Sequence, residues 1–336
     1  AGQYSTRYGK VEDMVVGLEV ALADGRMVRT GGAGPRAAVG PDLTQLFVGS
    51  EGVLGVITGA TLRLHPVPAA QARRAVGFPS FEAGLEACRA VLRRGVTPAV
   101  LRLYDATESG RNFDQGDTNV LVVLDEADPA LLEPTMAVVD QECAAAGAQP
   151  LDTALVERWL GHRNDVSALA PLYRAGIVVD TIEVAARWSA LAGLYDSTVA
   201  ALRARPGTLA VSAHQSHAYV DGACLYFTFA GRRPDGDTAD AADGRGGADG
   251  TGDGAASWAE RYYVGAWDAA MAAVRAAGAA VSHHHGIGLN RARFLPDALG
   301  PGFGVLRAVK EALDPRGILN PGKLGLPSPF GEVPWP

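Results

Sequence analysis

Two groups of residues have the types and spacing to do chemistry. One is the run Ala280-Val281-Ser282-His283-His284-His285-Gly286-Ile287-Gly288. Histidine titrates near neutral pH, so it can take or give a proton, or ligate a metal. Read as part of a strand, His283 and His285 share one face and His284 takes the other. An H-x-H pair by itself offers a metal only two ligands. The other group is the bend Gly49-Ser50-Glu51-Gly52-Val53-Leu54-Gly55. Its three glycines admit positive φ and let the backbone approach a ligand without a Cβ in the way, while Ser50 and Glu51 place a hydroxyl and a carboxylate at the tip. A lone GxxG also serves as a plain structural bend.

Three further positions carry polar groups in apolar surroundings. Arg102 interrupts the strand-like run Val100-Leu101-Arg102-Leu103-Tyr104, which fits an edge residue or a salt-bridge partner. Arg163, in His162-Arg163-Asn164-Asp165 at the end of a helix read over 156–166, either faces water or uses its planar fork to grip a carboxylate or phosphate. His214-Gln215-Ser216-His217 reads as a polar turn. Zinc ligation, substrate contact and a plain surface turn are its three readings, and no cysteine pair or HExxH supports the zinc.

The elements that must position these groups follow from period and punctuation. Residues 15–22 alternate as a strand, Asp24-Gly25 closes a hairpin, and 27–30 return. A short helix-like segment leads into the glycine bend, and 56–64 form a β-branched strand ended by Pro66 and Pro68. From there the pattern changes: strand 73–78, a helix capped by Ser80 to about 95, strands 99–105 and 119–124, and a helix over 129–146. That order predicts an α+β domain with an antiparallel sheet covered on one face. A helix over 188–203, strands 209–213 and 222–230, and a helix over 259–278 follow. The Gly/Asp/Ala-rich segment 234–257 reads as a disordered loop.

At 336 residues the chain can bury a sizeable core and divide into two domains. Its 48% hydrophobic and 20% charged composition is that of a globular protein, and a net charge of −7 argues against non-specific nucleic-acid binding. Cys88, Cys143 and Cys224 lie far apart, which fits a reducing cytoplasm. No apolar run reaches 18 residues, so the chain reads as soluble and cytoplasmic. Its excess of Ala, Gly and Arg over Lys suggests a bacterial source.

The order YGKxEDxVxGLEVxLxDG, then GPDLxxLFxGSEGxLGxITxATLRLxPxP, resembles the FAD-binding domain of vanillyl-alcohol-oxidase-type flavoproteins. Together with SHHHGIG, Arg291 and the ending Asn320-Pro321-Gly322-Lys323-Leu324, it resembles the alkyldihydroxyacetonephosphate synthase branch. Flavin oxidoreductases of D-lactate or glycolate share the ending, but typically carry one histidine where this chain has three. Val53 departs from the pattern, which usually has Thr there.

The resemblance implies a partial FAD domain over 1–68, a cap or substrate domain over 69–290, and a return to the FAD domain over 291–336. The glycine-rich half that normally precedes residue 1 is missing, so the chain reads as the C-terminal part of a longer protein. FAD would be held by Tyr8, Gly9, Gly49, Ser50, Glu51, Gly52, Gly55, Val56, Ile57 and Asn320. The implied reaction replaces the fatty acid of an acyl-dihydroxyacetonephosphate with a long-chain alcohol, the flavin N5 holding the substrate. His284 and His285 would move its protons, Tyr226 would act as acid or orient the leaving carboxylate, and Arg102, Arg163 and His283 would bind substrate. No metal is implied; the partners are a lipid or hydroxy-acid substrate, with peripheral membrane contact and a homodimer left open. Two other readings stand beside this one: a conventional FAD oxidoreductase of a 2-hydroxy acid, and a fragment unable to hold FAD.

Overall fold

The computed structural model describes residues 2–331 except 33, 35–37, 166, 168 and 235–256. The chain groups into two units, Ala1–Pro68 with Val281–Pro336, and Ala69–Ala280. Residues 281–290, expected with the cap, fall in the first unit. The low-complexity loop expected over 234–257 lies, but for its two ends, outside the described residues.

The first unit begins with two single-turn helices, α1 (Ser5–Tyr8) and α2 (Val11–Met14). The hairpin β1 (Val15–Ala21) and β2 (Met27–Gly31) turns at Gly25, whose φ of 86° needs glycine. In α3 (Leu43–Phe47) the Asp42 carboxylate caps the N-terminus by accepting from the Thr44 and Gln45 amides. After the bend, β3 (Val56–Leu62) pairs antiparallel with β1, giving the order β2-β1-β3. Alternation along β1 sends Leu18 and Val20 inward, where they meet Phe47, Val53, Leu54, Leu295 and Leu324 in one core.

The second unit is a seven-stranded antiparallel sheet with helices. Its elements in chain order are β4 (Ala70–Phe78), α4 (Phe81–Arg93), β5 (Val100–Tyr104), α5 (Ala106–Phe113), β6 (Asn119–Ala127) and α6 (Pro129–Ala145). Then come β7 (Gln149–Pro150), α7 (Ala154–His162), α8 (Leu169–Arg174), β8 (Val178–Arg187), α9 (Trp188–Arg203), β9 (Thr208–Ala218), β10 (Gly222–Gly231) and α10 (Trp258–Ala276). Across the sheet the order is β7-β4-β6-β5-β9-β10-β8. One face packs against α4, α6, α9 and α10; Leu103 points there, touching Gly84 of α4 so closely that a Cβ would collide. The expectation of a sheet covered on one face needs correction, because α5 and α7 pack together over part of the other. The chain then re-enters the first unit, which ends with α11 (Leu295–Leu299) and α12 (Pro301–Leu313).

Three local readings are also corrected. Residues 214–217 are not a turn: they lie inside β9, buried. His283 to His285 are not in a strand; they sit on successive bends ahead of Gly286 and Gly288, whose φ values of 77° and 54° an extended strand excludes. Helix α5 was not anticipated at all.

Candidate functional site

On the sheet face turned away from α4, α6, α9 and α10, β5, β9 and β10 align one residue each in a cross-strand row. Tyr104 pairs with His214, and His214 with Tyr226. Directly opposed side chains on one face lie close enough to stack. The His214 ring is 5.2 Å from Tyr104 and 5.0 Å from Tyr226, nearly parallel to the latter at 13°. Two residues before Tyr104, and so on the same face, Arg102 reaches His214 Nε2 at 2.5 Å.

Helix α5 closes one side of this row. It starts there because Asp105 accepts from the Glu108 amide at 2.8 Å and from the Ala213 amide at 2.7 Å, anchoring the helix start to β9. One turn on, Glu108 is 1% exposed and takes up every group around it. Its carboxylate accepts from Ser212 at 3.1 Å and Thr228 at 3.2 Å, meets His214 Nδ1 at 2.7 Å, and pairs with Arg111 at 3.1 Å.

Burial alone would raise the Glu108 carboxyl. The His214 ring, the Arg111 guanidinium and the Ser212 hydroxyl outweigh it and hold the group at about 2. For His214, burial pushes the pKa down and Arg102 pushes it further, so the ring is neutral at physiological pH.

Between this row and α7 lies a cavity of about 380 Å³. Arg102, Arg111, Arg158 and Arg163 line it with Tyr226 and Trp159, and among the described residues Glu108 is its one lining carboxylate. Arg158 donates to Asp114 at 2.6 Å. Arg163 is exposed, lies 5.7 Å over the Trp159 ring, and donates to the Leu160 carbonyl. The buried Nε of Arg102 has no hydrogen-bond partner, leaving a donor unused beside the cavity. Tyr226 accepts from Thr181 at 3.2 Å, and burial raises its phenol. The structure thus brings together Arg102, Arg163 and Tyr226, three of the residues singled out above.

In the first unit, the glycine bend opens a shallow cleft of about 300 Å³ lined by Gly49, Ser50, Glu51, Gly52, Gly55, Val56 and Ile57. Gly49 and Gly52 have φ of 76° and 77°, and a Cβ on Gly49 would project into open space. Gly55 has a packing reason, since a Cβ there would lie 2.4 Å from Val20. Val56 and Ile57 remain 52% and 46% exposed at the cleft, an apolar lip unusual for a strand start.

The Glu51 side chain does something its sequence position does not announce. Its carboxylate accepts from the Ile287 amide at 2.6 Å and the Gly288 amide at 3.0 Å. The glycine bend and the end of the histidine run, 236 residues apart at this contact, are therefore joined directly. Asn320 completes the clasp by donating to the Glu51 carbonyl, and Arg291 donates to the Gly286 carbonyl at 2.8 Å. Along the run, His283 Nδ1 and His284 Nδ1 are 2.9 Å apart, and the His284 and His285 rings meet edge-on at 4.5 Å.

Tyr8 and Gly9 do not line the cleft: Tyr8 packs on His65, with ring centres 4.9 Å apart, and Gly9 ends α1. Val53, where the family pattern usually has Thr, is buried in the core.

The description of the C-terminal domain of FAD-linked oxidases matches residues 67–324, most of the chain. The chain belongs to that family. Among curated relatives, this FAD-linked oxidase domain is 28% identical over 96% of its length to the FAD-linked oxidoreductase YgcU of Escherichia coli. It is 26% identical over its full length to the alkyldihydroxyacetonephosphate synthase of Trypanosoma brucei brucei. It spans 66% of the first protein and 56% of the second. A solved alkyldihydroxyacetonephosphate synthase superposes with a TM-score of 0.69 at 22% identity, covering 96% of this chain and 56% of that one. That likeness establishes the fold, which is shared with vanillyl-alcohol-oxidase-type flavoproteins.

FAD is the family's cofactor, and the first unit's cleft fits part of such a group. Its lining includes three glycines, with Gly49 facing open space, and its lip is exposed aliphatic surface suited to a flat ring system.

Reading by sequence missed Glu108, Arg111 and Arg158, and left His214 undecided. A signal for Glu108 was present: Asp105-Ala106-Thr107-Glu108 is an N-cap with an acidic residue three positions on, the mark of a helix start.

Proposed function

We propose that the chain is the catalytic portion of an FAD-dependent enzyme acting on an anionic lipid substrate in the manner of alkyldihydroxyacetonephosphate synthases. It would exchange the acyl group of an acyl-dihydroxyacetonephosphate for a long-chain alcohol. The observation that carries this reading is the second unit's cavity, where four arginines and two phenols, Tyr104 and Tyr226, line a space that holds, among the described residues, a single carboxylate. An excess of guanidinium around a partly buried space favours a phosphate or carboxylate held by paired hydrogen bonds.

In this reading Arg102 and Arg163 grip the anionic group. Tyr226, kept protonated by burial, donates to the departing carboxylate. His284 and His285 serve as base for the substrate proton and donor to the leaving acid, with His283 beside them for substrate. Gly49, Ser50, Gly52, Gly55, Val56 and Ile57 hold the cofactor, while Glu51 and Asn320 shape the bend. When bound, FAD supplies an electron-deficient ring able to accept electrons or bond to the substrate.

A second reading, favoured by 28% identity to a probable D-lactate dehydrogenase of Danio rerio and to the glycolate oxidase subunit GlcD of Bacillus subtilis, is oxidation of a 2-hydroxy acid in the same cavity. Anaerobic mixing of the FAD-loaded protein with candidate substrates separates the two. The exchange reading expects labelled long-chain alcohol to enter an ether product with flavin absorbance restored at the end. Lasting bleaching by D-lactate or glycolate, with electrons passed to a dye and no ether product, would replace it with the second.

A further inference from the structure

Arg102 lies on a strand with a long, flexible side chain, yet its guanidinium is held at one point. The hold fixes how protons are arranged. A guanidinium has donors and no acceptor, so its contact with His214 Nε2 has that nitrogen as acceptor. The imidazole proton must then reside on Nδ1, which donates to Glu108 at 2.7 Å. Glu108 is itself pinned by Ser212, Thr228 and Arg111. The His214 ring is clamped between Tyr104 and Tyr226 and is only 7% exposed.

We propose that Glu108 and His214 are positioning residues that hold the Arg102 guanidinium at the cavity wall, His214 acting as a neutral Nδ1–H tautomer. This rests on the reading of the arginine-lined cavity as an anion site. A protonated His214 would confront Arg102 with two donors and no acceptor, so the arrangement requires the ring to stay neutral. The groups facing the ring are Arg102 and Tyr104 from β5, Glu108 and Arg111 from α5, and Tyr226 from β10. Glu108 is the only one of these that favours an imidazolium, and its charge is shared with Arg111.

Two measurements on the purified protein test this. The first is nitrogen-15 NMR of the histidine rings, with His214 assigned by its loss in His214→Gln. The expected signature is one neutral tautomer with the proton on Nδ1 and no titration between pH 5.5 and 8.5. An imidazolium, a titrating ring or the opposite tautomer would overturn the proposal.

The second is titration with inorganic phosphate, together with the Arg102 Nε–H signal. Glutamine can accept from Arg102 through its oxygen and donate to Glu108 through its amide. His214→Gln should therefore keep phosphate affinity within about threefold and a sharp Arg102 signal. His214→Leu should weaken phosphate binding about tenfold and broaden that signal. A Leu variant that folds and matches wild type in both would also overturn the proposal. If the wild-type protein does not bind phosphate, the anion-site reading falls, and the NMR arms still decide the positioning role.

Discussion

At the scale of single residues, the acid–base groups proposed for turnover separate from those that shape the unit around them. His285→Ala and Tyr226→Phe should each lower turnover by about 100-fold, the usual share of a positioned acid or base, with flavin content unchanged. Loss of flavin absorbance from either variant would make that residue structural instead.

Glu108 has a different signature because its carboxyl lies below the ordinary 4.5 in the folded state, at about 2. A depressed carboxyl contributes stability that is present above its unfolded pKa and lost as pH falls through the folded one. The wild-type protein should therefore lose stability through this group as pH falls from 4.5 toward 2. Denaturant unfolding of Glu108→Gln across that range should show a correspondingly flatter profile, and equal slopes for the two proteins would refute the assignment.

Among elements, α12 shows how a buried charge can tie remote segments together. Lys310 donates to Asp314 at 2.5 Å, to the Val53 carbonyl at 2.9 Å and to the Leu319 carbonyl at 2.7 Å. One ammonium thus joins the helix to the glycine bend and to the Asn320-Pro321-Gly322 loop. Lys310→Met would leave the buried Asp314 carboxylate without its counter-charge, held only by the Ile318 and Leu319 amides. The expected cost is about 3 kcal/mol, read as a lower denaturant midpoint. A midpoint equal to wild type would mean that water or a shifted side chain satisfies Asp314.

Elements with a clear period were legible from sequence. Helix α9 (Trp188–Arg203) ran over the span read for it, and β1, β2 and β10 followed their alternation. Reading failed where polar residues find their partners inside the protein. His214-Gln215-Ser216-His217 looked like a turn because four polar side chains in a row suit solvent. In β9 they are buried, and Gln215 donates to the Leu101 carbonyl while His214 meets Glu108 and Arg102. The three histidines looked like a strand because Ala280 and Val281 lead into them, and only Gly286 and Gly288 hinted at the bends. The clasp by Glu51 spans more than 230 residues, a separation that no local pattern records.

For the molecule as a whole, net charge and the two units set the expectations. Among the described residues no helix is long and apolar enough to cross a membrane. The second unit is continuous in sequence and has its own sheet and core, so residues 69–280 expressed alone should fold. A cooperative thermal transition with mixed helix and strand signal would bear this out, and a featureless spectrum would show that it needs the rest of the chain. The same fragment should carry no yellow colour, because the glycine cleft is not part of it.

The first unit, by contrast, is stitched from both ends of the chain. During synthesis, Leu18, Val20 and Phe47 leave the ribosome long before Leu295 and Leu324, with which they share a core. At roughly 5–20 residues per second, about 10 to 40 s separate the two halves. For that interval Leu18, Val20 and Phe47 lack the partners that Leu295 and Leu324 supply, a window in which that part of the core is open to other contacts.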